Sequence, residues 1–301
     1  MTTAAAEYSQ QVITKPFTVL ASRDGEQLRA DVRYVCTGRP KPVVIFLHGF
    51  KGFKDWGPFP SIRDKWARAG FVTVAINFSH NGVGADLETF TELDRFARNT
   101  FSRELSEVED TVRQVGMAGG IPVEGEEYDA SHIGVVGHSR GAGMALLSGS
   151  RMPEIRAVAA LSSVSTFDRY SERARERWRR EGKFDVINQR TKQVMRLNSS
   201  FLEDLEAHRD TLDILAAAKR YPELRKPLLV LCGAEDLTTP LAETNKIVEA
   251  AHGPHTELVV IPHVGHTFGA EHPFRGMTPA LEAVSGAVSG FFSRALKEEG
   301  S

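Results

Sequence analysis

At the end of a strand-like apolar run, residues 133–137, the chain reads Gly137-His138-Ser139-Arg140-Gly141 and continues as a stretch of small, helix-compatible residues. The pattern G-x-S-x-G between a strand and a helix holds the serine on a sharp, strained turn and lifts its hydroxyl off the sheet. Side chains at the flanking positions would collide with neighbouring elements, which is why Gly137 and Gly141 stand there. The turn ends at a helix N-terminus, where backbone N–H groups favour developing negative charge. A tight turn with serine as a simple helix cap is the bland alternative. A serine hydroxyl alone is a poor nucleophile and needs a base within hydrogen-bond reach, itself oriented by an acid. Downstream, Glu235 and Asp236 leave the apolar run "LLVLCG", and His263, His266 and His272 follow "TELVVIP". Residue types and order alone leave the choice within each group open.

The elements that must carry these residues alternate. Two strands joined at Asp24-Gly25 open the pattern as a hairpin. Continuous apolar runs follow at 43–47, 70–77 and 133–137, then in "RAVAALSSV", "PLLVLCG" and "TELVVIP", with helices between most of them. The helix around Leu105, Val108, Val112 and Val115 keeps the 3.6-residue period. Such alternation predicts the α/β class: a mostly parallel sheet with helices on both faces and ligands bound outside the carboxyl ends of the strands. Residues 166–220 break the rhythm. They are heavily charged, show no convincing strand, and predict a helical insertion over one end of the sheet within a single 1–301 domain.

Composition narrows the chemistry. With 301 residues, 41% hydrophobic, 25% charged and a net charge of −2, the chain builds a large core and carries no basic field for nucleic acid or an anionic membrane. The arginines of "RYSERARERWRREG" interleave with Glu172, Glu176 and Glu181 at helical spacing, as on a solvated, ion-paired helix. Cys36 and Cys232 read as buried free thiols of a reducing compartment. The N-terminus lacks a signal-like pattern and no apolar run reaches the ~20 residues of a membrane span, so the expectation is a soluble, cytoplasmic protein. His48, His80, His138 and His266 lie on separate loops without paired ligand spacing, and no phosphate-binding glycine loop follows a strand. Neither a metal nor a cofactor is expected.

On His48-Gly49, Gly137-His138-Ser139-Arg140-Gly141, "CGAED" and "VGHTF", the chain resembles the α/β-hydrolase superfamily over nearly its whole length. Within it, the chain looks most like the dienelactone-hydrolase-like and serine-esterase branches, although enzymes named for dienelactone hydrolysis carry Cys where this chain has Ser139. The resemblance implies an α/β-hydrolase fold with a helical cap over 166–220. It selects Asp236 as triad acid, with Glu235 as runner-up, and His266 as base to Ser139. It gives the oxyanion-binding N–H groups to Arg140 and, in "LHGFKGFKDWG", to Phe50. Phe53 and Trp56 on that loop either wall an acyl or aryl pocket or pin the loop to the sheet. His80, in "NFSHNG", either contacts substrate or belongs to a loop capped by Asn77 and Asn81. Trp178 and the apolar side of the insertion either face the cleft as a lid or form a purely structural cap, and the Arg140 side chain either projects toward a substrate carboxylate or leaves its role to the backbone N–H alone. The implied activity is hydrolysis of small to medium carboxylic esters by a monomer or homodimer. Thioester or amide hydrolysis on the same triad, and a non-catalytic ligand-binding protein on the same fold, are the alternatives.

Overall fold

The apolar runs become the interior of one eight-stranded sheet. The computed structural model describes residues 11–86 and 89–297; the first ten residues of the polar leader lie outside them. Strands β1 (Val12–Leu20) and β2 (Gln27–Val35) form the hairpin closed at Asp24-Gly25, where Gly25 takes φ 74°. The remaining strands of this sheet are β3 (Lys41–Leu47), β4 (Val72–Ile76), β5 (Tyr128–His138), β6 (Ile155–Leu161), β9 (Leu228–Gly233) and β10 (Thr256–Ile261). Their spatial order is β1-β2-β4-β3-β5-β6-β9-β10, antiparallel only where β2 meets β1 and β4. The strands from β4 to β10 are therefore parallel, and their carboxyl ends share one edge.

Both faces of these strands are covered, which is why they read as continuous apolar runs rather than alternating ones. One face packs Val44, Phe46 and Val136 under Ile62 and Trp66 of α1 (Phe59–Arg68) and Val288, Phe291 and Phe292 of α10 (Pro279–Lys297). The other packs Val43, Ile45 and Val135 under α3 (Phe101–Val115), α4 (Arg140–Arg151) and α9 (Leu241–Ala250). A short helix, α2 (Leu93–Ala97), precedes α3, whose first turn is capped by the Thr100 hydroxyl accepting from the Arg103 N–H at 3.2 Å.

Residues 166–220 hold helices α5 (Glu172–Glu181), α6 (Ser199–Ala207) and α7 (Ile214–Ala218), but also an antiparallel hairpin of β7 (Lys183–Ile187) and β8 (Val194–Asn198). The expectation of a strand-free insertion is corrected here. "KFDVI" and "VMRLN" each alternate over only five residues, turning Phe184, Val186, Met195 and Leu197 inward while Asp185 and Arg196 pair outside. The turn is built by Asn188, whose side-chain oxygen accepts from the N–H groups of Arg190 at 3.0 Å and Thr191 at 3.2 Å. A short α8 (Tyr221–Leu224) leads back to β9. Along α5, Arg177 pairs with Glu181 and Arg179 with Glu172 in solvent-exposed ion pairs.

Two further expectations change. Cys232 is buried in β9, but Cys36 is exposed: it falls just past the last paired residue of β2 and donates through Sγ to Glu127 at 3.1 Å. Trp178 is fully buried, stacked between Phe184 at 4.8 Å and Phe201 at 5.9 Å, with its indole N–H on the Asn198 carbonyl at 3.2 Å. It is the centre of the insertion, not its cavity-facing surface. Trp178→Ala is therefore expected to lower unfolding free energy by about 3–5 kcal/mol, measured by urea denaturation. A residue that lined the cleft would instead shift KM and leave the midpoint in place.

Candidate active site

The parallel strands deliver the chemically competent residues to one edge. Ser139 leaves β5, the loop 48–57 leaves β3, Asp236 follows β9, and His266 lies in the connection after β10. Ser139 has φ 58° and ψ −119°, a sparsely populated conformation that costs a non-glycine residue of order 1–3 kcal/mol. The surroundings hold it there. Its N–H donates to the Leu161 carbonyl at 2.9 Å, and its own carbonyl accepts from Ala142 at 3.0 Å and Gly143 at 3.3 Å. A Cβ on Gly137 would lie 2.1 Å from the Gly141 carbonyl oxygen, and one on Gly141 would lie 2.4 Å from that of Leu47. Backbone touches backbone on both sides of the serine, so neither site has room for a side chain.

Asp236 is 3% exposed and fully supplied with donors. Oδ1 accepts from the N–H groups of Thr238 at 2.8 Å and Thr239 at 2.9 Å; Oδ2 lies 2.8 Å from both the Thr239 hydroxyl and His266 Nδ1. Burial alone would raise its pKa, but the hydrogen bonds from His266 and Thr239 outweigh it and hold the carboxyl well below its ordinary range. The ionised carboxylate keeps the His266 proton on Nδ1 and leaves Nε2 to take another. Glu235 points elsewhere, 3.6 Å from exposed His263. The carbonyl of His266 accepts from His138 Nε2 at 2.8 Å. Burial, and then the proximity of His266, lower the His138 pKa to about 3, so His138 stays neutral and donates.

Ser139 and His266 open into one cavity of about 540 Å³. The structure does not close a hydrogen bond between Ser139 Oγ and the imidazole, a contact that often tightens only when substrate binds. Phe50, Arg140 and Trp56 line the same cavity. Among the described residues, the N–H groups of Phe50 and Arg140 donate to no protein acceptor. The Arg140 guanidinium lies 3.9 Å from the Phe50 ring centre and donates to Glu104 at 3.1 Å. Of the two readings of the Arg140 side chain, the one aimed at a substrate carboxylate meets an internal carboxylate instead, and the guanidinium props the Phe50 loop. His48 braces that loop from below: its Nδ1 bonds the Gly49 carbonyl at 2.9 Å, and its Nε2 accepts the Phe78 N–H at 3.3 Å.

Three expected substrate contacts are corrected. Phe53 is fully buried, edge-on to His272 at 5.1 Å, and pins its loop. His80 is buried against the Ser79 hydroxyl at 2.7 Å, away from the cavity lining. Its loop is anchored by Asn77, which accepts from the Lys54 N–H at 2.7 Å, and by Asn81, which accepts from the Val83 N–H at 3.0 Å. Trp178 lies inside the insertion, as described. The cavity wall holds Phe59, Phe101, Val164, Phe167, Tyr170 and the hairpin tip Asn188-Gln189-Arg190, none of which was singled out from sequence. Phe167 and Tyr170 follow β6 at its carboxyl end, so the strand-end rule was the signal available for them.

A parallel sheet that gathers a strained serine, a histidine and a carboxylate at the ends of its strands defines an α/β protein of hydrolase type. The chain belongs to the alpha/beta hydrolase family, whose family model matches residues 44–279. Solved structures similar in fold include Est1E from Butyrivibrio proteoclasticus with ferulic acid bound, at 17% identity and TM-score 0.67, covering 94% of this chain and 100% of that one. A putative hydrolase from Agrobacterium vitis has 17% identity and TM-score 0.69, with 94% and 99% covered. A putative dienelactone hydrolase from Klebsiella pneumoniae has 15% identity and TM-score 0.58, again with 94% and 99% covered. No curated protein matches the chain.

Gly141→Ala must displace the Leu47 and His48 carbonyls. It is expected to lose the folded elbow, seen as reduced thermal stability and lost labelling of Ser139 by a fluorophosphonate. The depressed Asp236 pKa has a defined sign: its contribution to stability is present above the ordinary value of 3.8 and is lost as pH falls below it. Asp236→Asn is therefore expected to lower stability at neutral pH and to flatten its decline in acid, measured by urea midpoints across that range.

Proposed function

We propose that this protein is a cofactor-free serine hydrolase that cleaves carboxylic esters of small to medium acyl or aryl size. The observation that carries the reading is Ser139, held at φ 58° and opening into the same cavity as a histidine bonded to a buried carboxylate. Ser139 Oγ attacks the ester carbonyl carbon while His266 Nε2 takes the hydroxyl proton. The tetrahedral oxyanion is met by the N–H groups of Phe50 and Arg140, each such donor contributing about 2.7–4 kcal/mol. Collapse breaks the carbon–oxygen bond to the leaving alcohol, which receives the proton from His266, and leaves an acyl group on Ser139. Water then attacks the acyl-enzyme as His266 accepts its proton, and the same proton returns to Ser139 as the acid departs. Asp236 stays ionised throughout and steadies the imidazolium.

The aromatic wall of Trp56, Phe59, Phe167 and Tyr170 supports an apolar acyl or aryl group. Residues 166–220, which supply part of that wall, act as the cap of a single domain. Among the described residues no helix is long and apolar enough to cross a membrane. The free thiols of Cys36 and Cys232 fit a cytoplasmic location for a monomer or homodimer. Ser139→Ala is expected to lower kcat on p-nitrophenyl butyrate by on the order of a million-fold and to abolish fluorophosphonate labelling located by mass spectrometry. Full turnover in that variant would remove Ser139 from the mechanism.

A further inference from the structure

The charged side chains that line the cavity are arginines and a lysine. Lys51, Arg140, Arg169 and Arg190 line it, and no aspartate or glutamate does among the described residues. Two of these cations bring their own carboxylate from behind the wall: Arg140 meets Glu104 at 3.1 Å and Arg169 meets Glu243 at 2.7 Å. Lys51 brings none among the described residues. Its ammonium donates to a neutral acceptor, the Ile187 carbonyl at 3.2 Å, and stands 5.6 Å from the Phe50 ring centre. Half-buried beside Arg140, it has its pKa lowered first by burial and then by that like charge. The Lys51 ammonium thus faces the cavity with only a neutral acceptor and a ring beside it, next to the loop that presents the Phe50 N–H.

An ammonium with no carboxylate of its own in a partly dry cavity repels further cations and gains most from a singly charged oxygen anion, since hydrogen bonds between ions are the strong ones. We infer that the preferred ester carries a free carboxylate of its own, bound by Lys51, as in a half-ester of a dicarboxylic acid. The inference rests on Ser139 being the nucleophile and assigns Lys51 as a specificity-determining residue. Lys51 sits one residue from Phe50 and reaches the cap hairpin, so the carboxylate lies toward the hairpin while the ester carbonyl lies at Ser139. Phe50 and Trp56 flank the carbon chain between them.

The test compares kcat/KM for monophenyl adipate with that for phenyl hexanoate, a neutral ester of matching length, in wild-type protein, Lys51→Gln and Lys51→Arg. Wild type is expected to favour the half-ester by about tenfold or more, less so at high salt. Lys51→Gln is expected to bring the ratio near one, and Lys51→Arg to keep it. A purely structural clasp between Lys51 and the hairpin would change both substrates alike and leave the ratio untouched. Calorimetric titration of the wild-type protein with adipate against hexanamide, a neutral ligand of matching length, reads the same preference without turnover and serves if the glutamine variant fails to fold. Ester turnover with no preference for the charged substrate, or a preference that survives Lys51→Gln, overturns the inference and leaves the hydrolase reading intact. Adipate binding lost in Lys51→Gln, with no ester cleaved by wild type, upholds the anion site and overturns the hydrolase reading.

Discussion

Backbone-to-backbone contact at the elbow is the constraint from which the rest of the site follows. Gly141 sits against the carbonyls of Leu47 and His48, and Gly137 against that of Gly141, so the end of β3, the turn and the start of α4 are locked at van der Waals range. That proximity sets Ser139 in its strained conformation and, in the same stroke, brings the loop after β3 beside it: a Cβ on Gly49 would lie 3.0 Å from the Ser139 Cβ. Two neighbouring parallel strands with flush carboxyl ends are the only requirement, and the β3–β5 pairing from Val43 with Ile133 to Leu47 with Gly137 meets it.

Around this fixed point, the histidines divide the labour by environment. His48 and His138 are buried, with pKa values lowered to about 4 and about 3, and act as neutral struts for the Phe50 loop and for the His266 backbone. His266 combines a buried carboxylate on one nitrogen with an opening onto the cavity. A single residue type thus does two jobs, and what separates them is burial and the acceptor each ring faces.

Much of this was readable in the sequence, and the failures have physical causes. The parallel core announced itself because strands buried on both faces leave long apolar runs, and the elbow because glycine is forced wherever backbones touch. The hairpin at 183–198 was missed: five alternating residues beside a charged helix give too short a period to register. Periodicity also says which side of a segment is apolar without saying what covers it, so Trp178 was aimed at the cleft when it covers Phe184 and Phe201. The aromatic loop residues Phe53 and Trp56 are alike in sequence and part ways only in three dimensions, one inside the core and one on the cavity wall. Phe167 and Tyr170 escaped because the strand-end rule marks the region after β6 without saying which of its side chains will face the cavity.

The cap hairpin is clasped to the body of the protein through one of its carbonyls and one of its side chains. Lys51 bonds the Ile187 carbonyl, and the Gln193 side-chain amide exchanges two hydrogen bonds with the Phe90 backbone, at 3.1 and 2.9 Å. Neither clasp reads the side chains at the tip, where Asn188, Gln189 and Arg190 meet the cavity. With Asn188 fixed by the turn it builds, Gln189 beside it is an interchangeable part: its lettering can drift, and with it the range of molecules admitted, while the sheet and the elbow beneath stay as they are.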